Sequence, residues 1–232
     1  MSENVENPEI GEIARAESER GELVLRRRTS GPGAHVLELR VNGVFVMDTL
    51  ETTTEAALAA AALELVEHPR DVVVGGLGLG FTTQRVLADS RVEKVVVVEV
   101  EEALVGWMRD GTVPHGPAIL ADERVRIVNA DILMAIAEAR STYDLVLLDV
   151  DNGPGYLVHG ANAGIYEPAF LQRCRDVLNP GGVLAVWSAD HSPELVEAMR
   201  EVFGDVDEQV HDVLLQDRPE HYYLVVARHT VG

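Results

Sequence analysis

From residue 68 onward, short continuous apolar runs alternate with segments of mixed apolar and polar residues. The runs at 72–74, 94–99, 125–128, 143–149 and 183–187 are rich in valine and leucine and predict strands. Between them, 82–88, 103–109, 132–139 and 168–177 predict helices. Strand-helix alternation of this kind predicts a doubly wound, mostly parallel sheet. A further helix near 193–203 leads into two closing strands near 206–215 and 222–228, joined by the short turn Asp217-Arg218-Pro219. Ahead of this unit the pattern is different. Residues 23–25, 36–41 and 44–47 read as short strands, separated by the turn-rich Ser30-Gly31-Pro32-Gly33 and by Asn42-Gly43, a strong hairpin signal. They predict a small antiparallel unit. Thr52–Thr54 can cap a helix running to about Glu67. Residues 1–20 are acidic, contain Pro8 and show little periodicity, so they predict a loosely held arm. The resulting division is an arm over 1–20, a β unit with its linking helix over 21–67, and a Rossmann-like nucleoside-binding catalytic domain over 68–232.

Composition narrows the functional classes. Apolar residues make up 47% of the chain, as in a folded globular protein. The alanine-rich stretch 56–66 is too short to span a membrane and is interrupted by Glu64. The N-terminus is acidic rather than basic-then-apolar, so no secretory signal is read and a cytoplasmic location is expected. A formal net charge of −20 disfavours nucleic acid and anionic membranes as partners. Arg26-Arg27-Arg28 is a local basic cluster that reads as a solvated strand end. The single cysteine, Cys174, reads as a core residue. The acidity is compatible with a small cationic substrate and equally with solubility.

The chemistry concentrates after the first strand of the main unit. Gly75-Gly76-Leu77-Gly78-Leu79-Gly80 follows Val72-Val73-Val74, and a helix and the valine strand ending at Glu99 come next. Such a unit brings backbone close to a ligand and offers a carboxylate to a ribose about twenty residues later. A dinucleotide fingerprint would put its third glycine at Phe81. The spacing Gly76-x-Gly78-x-Gly80 is instead typical of S-adenosylmethionine enzymes, and a parallel sheet closing in an antiparallel hairpin is the layout of the seven-stranded class I methyltransferase fold. Gly76, Gly78, Gly80 and Glu99 are therefore candidate cofactor-binding residues. Asp131, after the third strand, can accept from an adenine amino group or cap the next helix, and the two roles are compatible.

Asp149 ends the fourth strand and Asp151 follows in the loop Val150-Asp151-Asn152-Gly153-Pro154-Gly155-Tyr156. Two nearby carboxylates at a strand end can hold a cationic amine or take its proton before it attacks an electrophile. Asp149 and Asp151 are the candidate catalytic residues, although Asp151 and Asn152 can also simply make turn hydrogen bonds. Tyr156, His159 and His191 are candidate assistants. The glycine-rich loop 153–164 is either a lid or a surface excursion.

These features together resemble the spermidine synthase family, the polyamine aminopropyltransferases, over about residues 22–228. The resemblance is carried by the β unit, Glu99-Val100-Glu101, Asn129-Ala130-Asp131, Tyr143-Asp144 leading to Asp149, Tyr166 through Cys174-Arg175, and Leu178-Asn179-Pro180-Gly181-Gly182. It implies aminopropyl transfer from decarboxylated S-adenosylmethionine to a diamine, no metal, and a homodimer. It places Asp149 at the family's catalytic aspartate. There are departures. The glycine-turn aspartate that holds the aminopropyl ammonium falls on Leu79. A second loop aspartate falls on Asn152, and a substrate-binding tyrosine and histidine fall on Glu55 and Ala56. Loss of one charge-assisted hydrogen bond, about 1.5–3 kcal/mol, predicts roughly ten- to a hundredfold weaker binding of that donor. Glu55, Asn152 and Tyr156 are the candidate substrate-binding residues, and Glu55 or Glu101 could stand in for the missing acid. The sequence reading thus favours a transferase using an S-adenosylmethionine-type donor with an unknown acceptor, for methyl or another non-standard transfer. A true aminopropyltransferase is the alternative, and a binding or scaffold protein is the alternative of another class.

Overall fold

Neighbouring valines in the central strands point to opposite faces of one sheet, and both faces are covered. This follows from strand geometry, in which successive side chains alternate, and explains why the strands read as unbroken apolar runs. The computed structural model describes residues 10–29, 35–155, 157–215 and 218–230.

An antiparallel meander comes first: β1 (Ile10–Ser18), β2 (Gly21–Thr29), β3 (His35–Val41) and β4 (Val44–Asp48), in spatial order β1-β2-β3-β4. The β3–β4 turn is made by Asn42 and Gly43, both at positive φ (51° and 78°), as a two-residue hairpin with the favoured twist requires. The Ser30-Gly31-Pro32-Gly33 turn lies outside the described residues, as do residues 1–9. The arm expected over 1–20 is corrected for residues 10–18, which form β1. This is an edge strand, paired on one side only with β2, and its small alanines and solvent-facing charges leave a weak period in the sequence. Arg15 ties it down by ion pairs to Glu12 and Glu22.

Helix α1 (Thr53–Leu65) links the two sheets. Thr52 occupies its N-cap position without a side-chain cap bond. Glu51 accepts from the Thr53 N–H (2.9 Å) instead, and Asp48 accepts from the N–H groups of Leu50 and Glu51 (2.8 and 3.0 Å). Acidic side chains thus replace the expected threonine cap.

The main sheet contains β5 (Asp71–Gly75), β6 (Lys94–Glu99), β7 (Val125–Asn129), β8 (Tyr143–Leu148), β9 (Leu178–Ser188), β10 (Val206–Leu215) and β11 (Arg218–Arg228), in the order β10-β11-β9-β8-β5-β6-β7. Strands β5 to β9 are parallel, and β11 runs antiparallel to β9 and β10. Val72, Val74, Val95, Val97, Leu145 and Leu147 face one side, with α1, α2 (Phe81–Leu87), α3 (Glu102–Asp110) and α4 (Gly116–Leu120), and with Leu23, Leu25, Leu37 and Leu39 of the meander. Val73, Val96, Val98, Val146 and Leu148 face the other side, with α5 (Ile132–Ala137), α6 (Pro168–Val177) and α7 (Pro193–Phe203). Cys174 is buried in this second core. Helix α4, five residues long, is too short to leave a periodic signal. The chain order reverses between β5–β6 and β5–β8, so ligands are expected where those strands end. Among the described residues, no helix is long and apolar enough to cross a membrane.

Candidate active site

At the end of β5 the chain turns through Gly76, Gly78 and Gly80, all at positive φ. A Cβ on Gly76 would lie 2.0 Å from the Asp149 carbonyl oxygen, so only glycine lets the β5 and β8 ends approach this closely. A Cβ on Gly78 would lie 2.7 Å from Met47 Sδ of β4, so the meander closes directly over the turn. Gly80 behaves differently. It does not line the cavity, and its close neighbours are Ile119 and Met108 of the helical layer. It is a packing position at the start of α2.

Glu99 ends β6 and is buried against the turn. Its carboxylate accepts from the N–H groups of Leu77 and Glu101, each at 2.8 Å. Burial pushes its pKa up, and these backbone bonds oppose the shift. Each oxygen keeps a lone pair free for a hydroxyl donor. Beside it is a recess walled by Gly76, Val98, Glu99, Asp131, Ile132 and Asn162. Asp131 caps α5 through the Leu133 N–H (2.9 Å), and its other oxygen accepts from Arg20 at 2.5 Å. Arg20 lies in the β1–β2 turn, where Asn42 Nδ2 donates to its carbonyl at 3.1 Å. Sequence reading missed it because the arm was expected to be loose. Its one signal is the following Gly21, whose φ of +114° marks a tight turn.

A cavity continues from this recess toward α1, β9 and β11, lined by Met47, Glu51, Glu55, Asp149, Trp187 and Tyr222 among others. Asp149 accepts from the Thr82 hydroxyl at 2.8 Å. Burial raises its pKa to about 6, against the pull of that hydrogen bond. Glu55, in the first turn of α1, is 7% exposed, and burial followed by the Asp149 charge raises its pKa to about 8. Trp187 and Tyr222 meet edge to face at 4.9 Å. The Trp187 indole N–H has no partner among the described residues. Leu79, where an acid was sought, is 0% exposed in the core, and only its backbone has polar contacts: its N–H points at Met47 Sδ (3.2 Å) and its carbonyl meets His115 Nε2 (2.6 Å).

Asp151 is buried and accepts from Asn152 N–H (2.8 Å), Val158 N–H (2.7 Å), His159 N–H (3.5 Å) and Asn162 Nδ2 (2.6 Å). With its lone pairs engaged in the loop, it positions residues 152–162. It also lines the cavity beside Asp149. Asn152 and His159 line the cavity. Tyr156 lies outside the described residues. His191 is not on the cavity; it faces Glu208 (3.3 Å) and the Tyr223 ring (5.5 Å). Among the described residues, the cavity wall carries Asp48, Glu51, Glu55, Glu99, Glu101, Asp149 and Asp151, against one arginine that is itself paired with Asp131.

The profile of the spermine/spermidine synthase domain matches residues 51–226. Polyamine aminopropyltransferase 2 of Pseudomonas aeruginosa is 29% identical over 167 residues, covering 67% of this chain and 46% of that protein. The polyamine aminopropyltransferase of Aeropyrum pernix is 30% identical over 156 residues, covering 62% of this chain and 49% of that protein. The chain thus spans about half the length of the curated relatives it matches. A crystal structure of spermidine synthase in complex with the transition state analogue AdoDATO superposes with a TM-score of 0.82 at 18% identity, covering 96% of this chain and 75% of that one. Spermidine synthase from Thermotoga maritima gives 0.80 at 18% identity, covering 96% and 74%. At that identity the structures establish the fold. The preference for methyl transfer read from the sequence finds no support among these relatives.

Proposed function

Because the chain belongs to the spermine/spermidine synthase family, we propose that it is a polyamine aminopropyltransferase, using decarboxylated S-adenosylmethionine as donor and a small amine as acceptor. The observation that carries this reading is the cavity at the strand ends, whose wall holds seven carboxylates and one paired arginine. Such a wall favours cations, and both a sulfonium donor with a free amine and a polyamine acceptor are cations.

In this reading Glu99 accepts the ribose hydroxyls, and the recess beside Asp131 receives the base. Asp149 faces the acceptor amine with the carboxylate oxygen that Thr82 leaves free. A pKa of about 6 leaves Asp149 ionised at neutral pH yet basic enough to take a proton. The amine lone pair forms the new N–C bond as the C–S bond breaks. The electron pair of that bond goes to sulfur, which leaves as a neutral thioether, and the amine proton passes to Asp149. Holding the two reactants in line is the larger part of such catalysis.

The test is product analysis with decarboxylated S-adenosylmethionine and a panel of diamines and polyamines. The expected products are 5′-methylthioadenosine and an amine longer by one aminopropyl unit. A methylated acceptor formed from S-adenosylmethionine, with no aminopropyl product, would overturn the reading in favour of methyl transfer. Binding of the thioether with no turnover of either donor would leave a binding protein.

A further inference from the structure

The glycine turn after β5 has a freedom that the site must remove. Gly76, Gly78 and Gly80 have φ of +90°, +49° and +90°, and Gly76 and Gly78 line the cavity. Glycine reaches such angles readily and leaves them as readily, so a turn of three glycines keeps its shape when its peptide groups are held. Backbone bonds hold part of it: the Gly76 N–H donates to the Val98 carbonyl and the Gly80 N–H to the Leu77 carbonyl, each at 2.9 Å. Glu99 accepts from the Leu77 N–H at 2.8 Å. The peptide groups on either side of Leu79 are held by side chains from elsewhere in the fold. The Leu79 N–H points at Met47 Sδ of β4, with nitrogen and sulfur 3.2 Å apart, and the Leu79 carbonyl meets His115 Nε2 at 2.6 Å. A carbonyl can only accept, so the imidazole donates from Nε2. Thioether sulfur is a weak acceptor, which makes His115 the stronger of the two holds.

His115 is itself well seated. Its ring stacks on Phe81, the first residue of α2, with centroids 5.1 Å apart. A Cβ on the next residue, Gly116, would lie 2.2 Å from the Met108 carbonyl oxygen, so the backbone at the start of α4 is pressed onto α3. A fixed donor thus reaches from the α3–α4 connection to the turn. His115 does not line the cavity, so whatever it does for a ligand passes through the turn.

We propose that His115 is a positioning residue for the nucleoside. Its Nε2–H fixes the Leu79–Gly80 peptide, and through it the conformation in which Gly76 and Gly78 meet the ligand. The inference rests on the nucleoside half of the reading above and does not depend on which group is transferred. A turn held before the ligand arrives has less freedom to lose on binding, so the contribution of His115 is read as affinity.

The experiment is calorimetric titration of wild type, H115F, H115A and H115Q with 5′-methylthioadenosine. H115F keeps a ring on Phe81 without the N–H, H115A removes both, and H115Q returns an N–H near the place of Nε2. H115F and H115A are each expected to weaken the thioether roughly three- to tenfold, the scale of one hydrogen bond, and H115Q to stay within about twofold of wild type. Wild-type affinity in H115F would overturn the proposal, since the ring alone would then suffice. A loss in H115Q equal to that in H115F and H115A would overturn it too. Misfolding lowers the binding stoichiometry rather than the affinity of the folded fraction, so the same titrations separate the two, and H115A serves if H115F does not fold. Thioether binding by the wild type without aminopropyl turnover would remove the aminopropyl reading and leave this inference standing. No thioether binding by the wild type would remove both.

Discussion

The two halves of the cavity are built differently. In the nucleoside half, a glycine turn, Glu99 and Asp131 are fixed by backbone hydrogen bonds within one βαβ unit and the strand beside it. In the amine half, Glu55, Asp149, Trp187 and Tyr222 come from α1, the residue after β8, β9 and β11, and the two acids carry raised pKa values of about 8 and 6. The first half is preorganised and internally satisfied. The second holds buried acids whose surroundings favour their neutral forms. Substitutions in the first half should therefore affect every adenosine-containing ligand, and substitutions in the second only those that carry an amine.

The largest effect is expected for Asp149→Asn. Loss of the base should lower kcat by about 10²–10⁴ while leaving affinity for 5′-methylthioadenosine within about twofold, as stopped turnover and calorimetry would read. A comparable loss in thioether affinity would mean that the two halves are not separable. Glu99→Gln should do the reverse, weakening donor and thioether alike by roughly tenfold or more, because hydrogen bonds to a charged group are lost.

A pH titration sharpens the comparison. Glu55 binds a cation only when ionised. It is faced by Asp149 from β8, by Glu51 ahead of α1, and by Tyr222 of β11, which Asp48 also influences. The incoming ammonium must therefore drive off a proton at neutral pH. Affinity for the decarboxylated donor should rise between pH 6 and pH 8 in wild type and change much less in E55Q. Stability should move the opposite way. Both folded-state pKa values lie above the ordinary 4.5 and 3.8, so the folded protein binds more protons than the unfolded chain in this window. The ligand-free protein should lose melting temperature as pH rises toward 8, and E55Q should flatten that decline by a few degrees. A wild-type profile that rises with pH would contradict the assigned environment.

The smallest effect concerns Arg20. If the base takes Asp131, it competes with the Arg20 ion pair, so Arg20→Ala should tighten thioether binding about two- to fivefold, the scale of a partly exposed pair. Weaker binding would show that Arg20 contacts the ligand itself.

What the sequence disclosed follows the same division. Valine runs, the glycine turn and acids at strand ends are local signals, and the sheet, its closing hairpin and the Glu99 and Asp131 positions were all readable from them. The strand-end position of Asp149 was read from the apolar run before it, and the resemblance matched it to the family's catalytic aspartate. The packing of Gly80 was not legible because its neighbours Met108 and Ile119 are contributed by α3 and α4. The hydrogen bonds that hold Asp151 were not legible because their donors come from the loop that follows. Trp187 and Tyr222 are brought to the cavity by the pairing of β9 with β11, and Arg20 by its contact with Asp131, 111 residues further along the chain. β1 itself escaped notice because an edge strand with one solvated face carries little hydrophobic period.

The central claim is that the amine half is shaped for a donor without a carboxylate. The most direct test is the ratio of affinities for decarboxylated S-adenosylmethionine and S-adenosylmethionine, measured by calorimetry near pH 8. The account predicts at least about tenfold tighter binding of the decarboxylated donor, the scale of one charge-assisted hydrogen bond. Tighter binding of the carboxylated donor would contradict it.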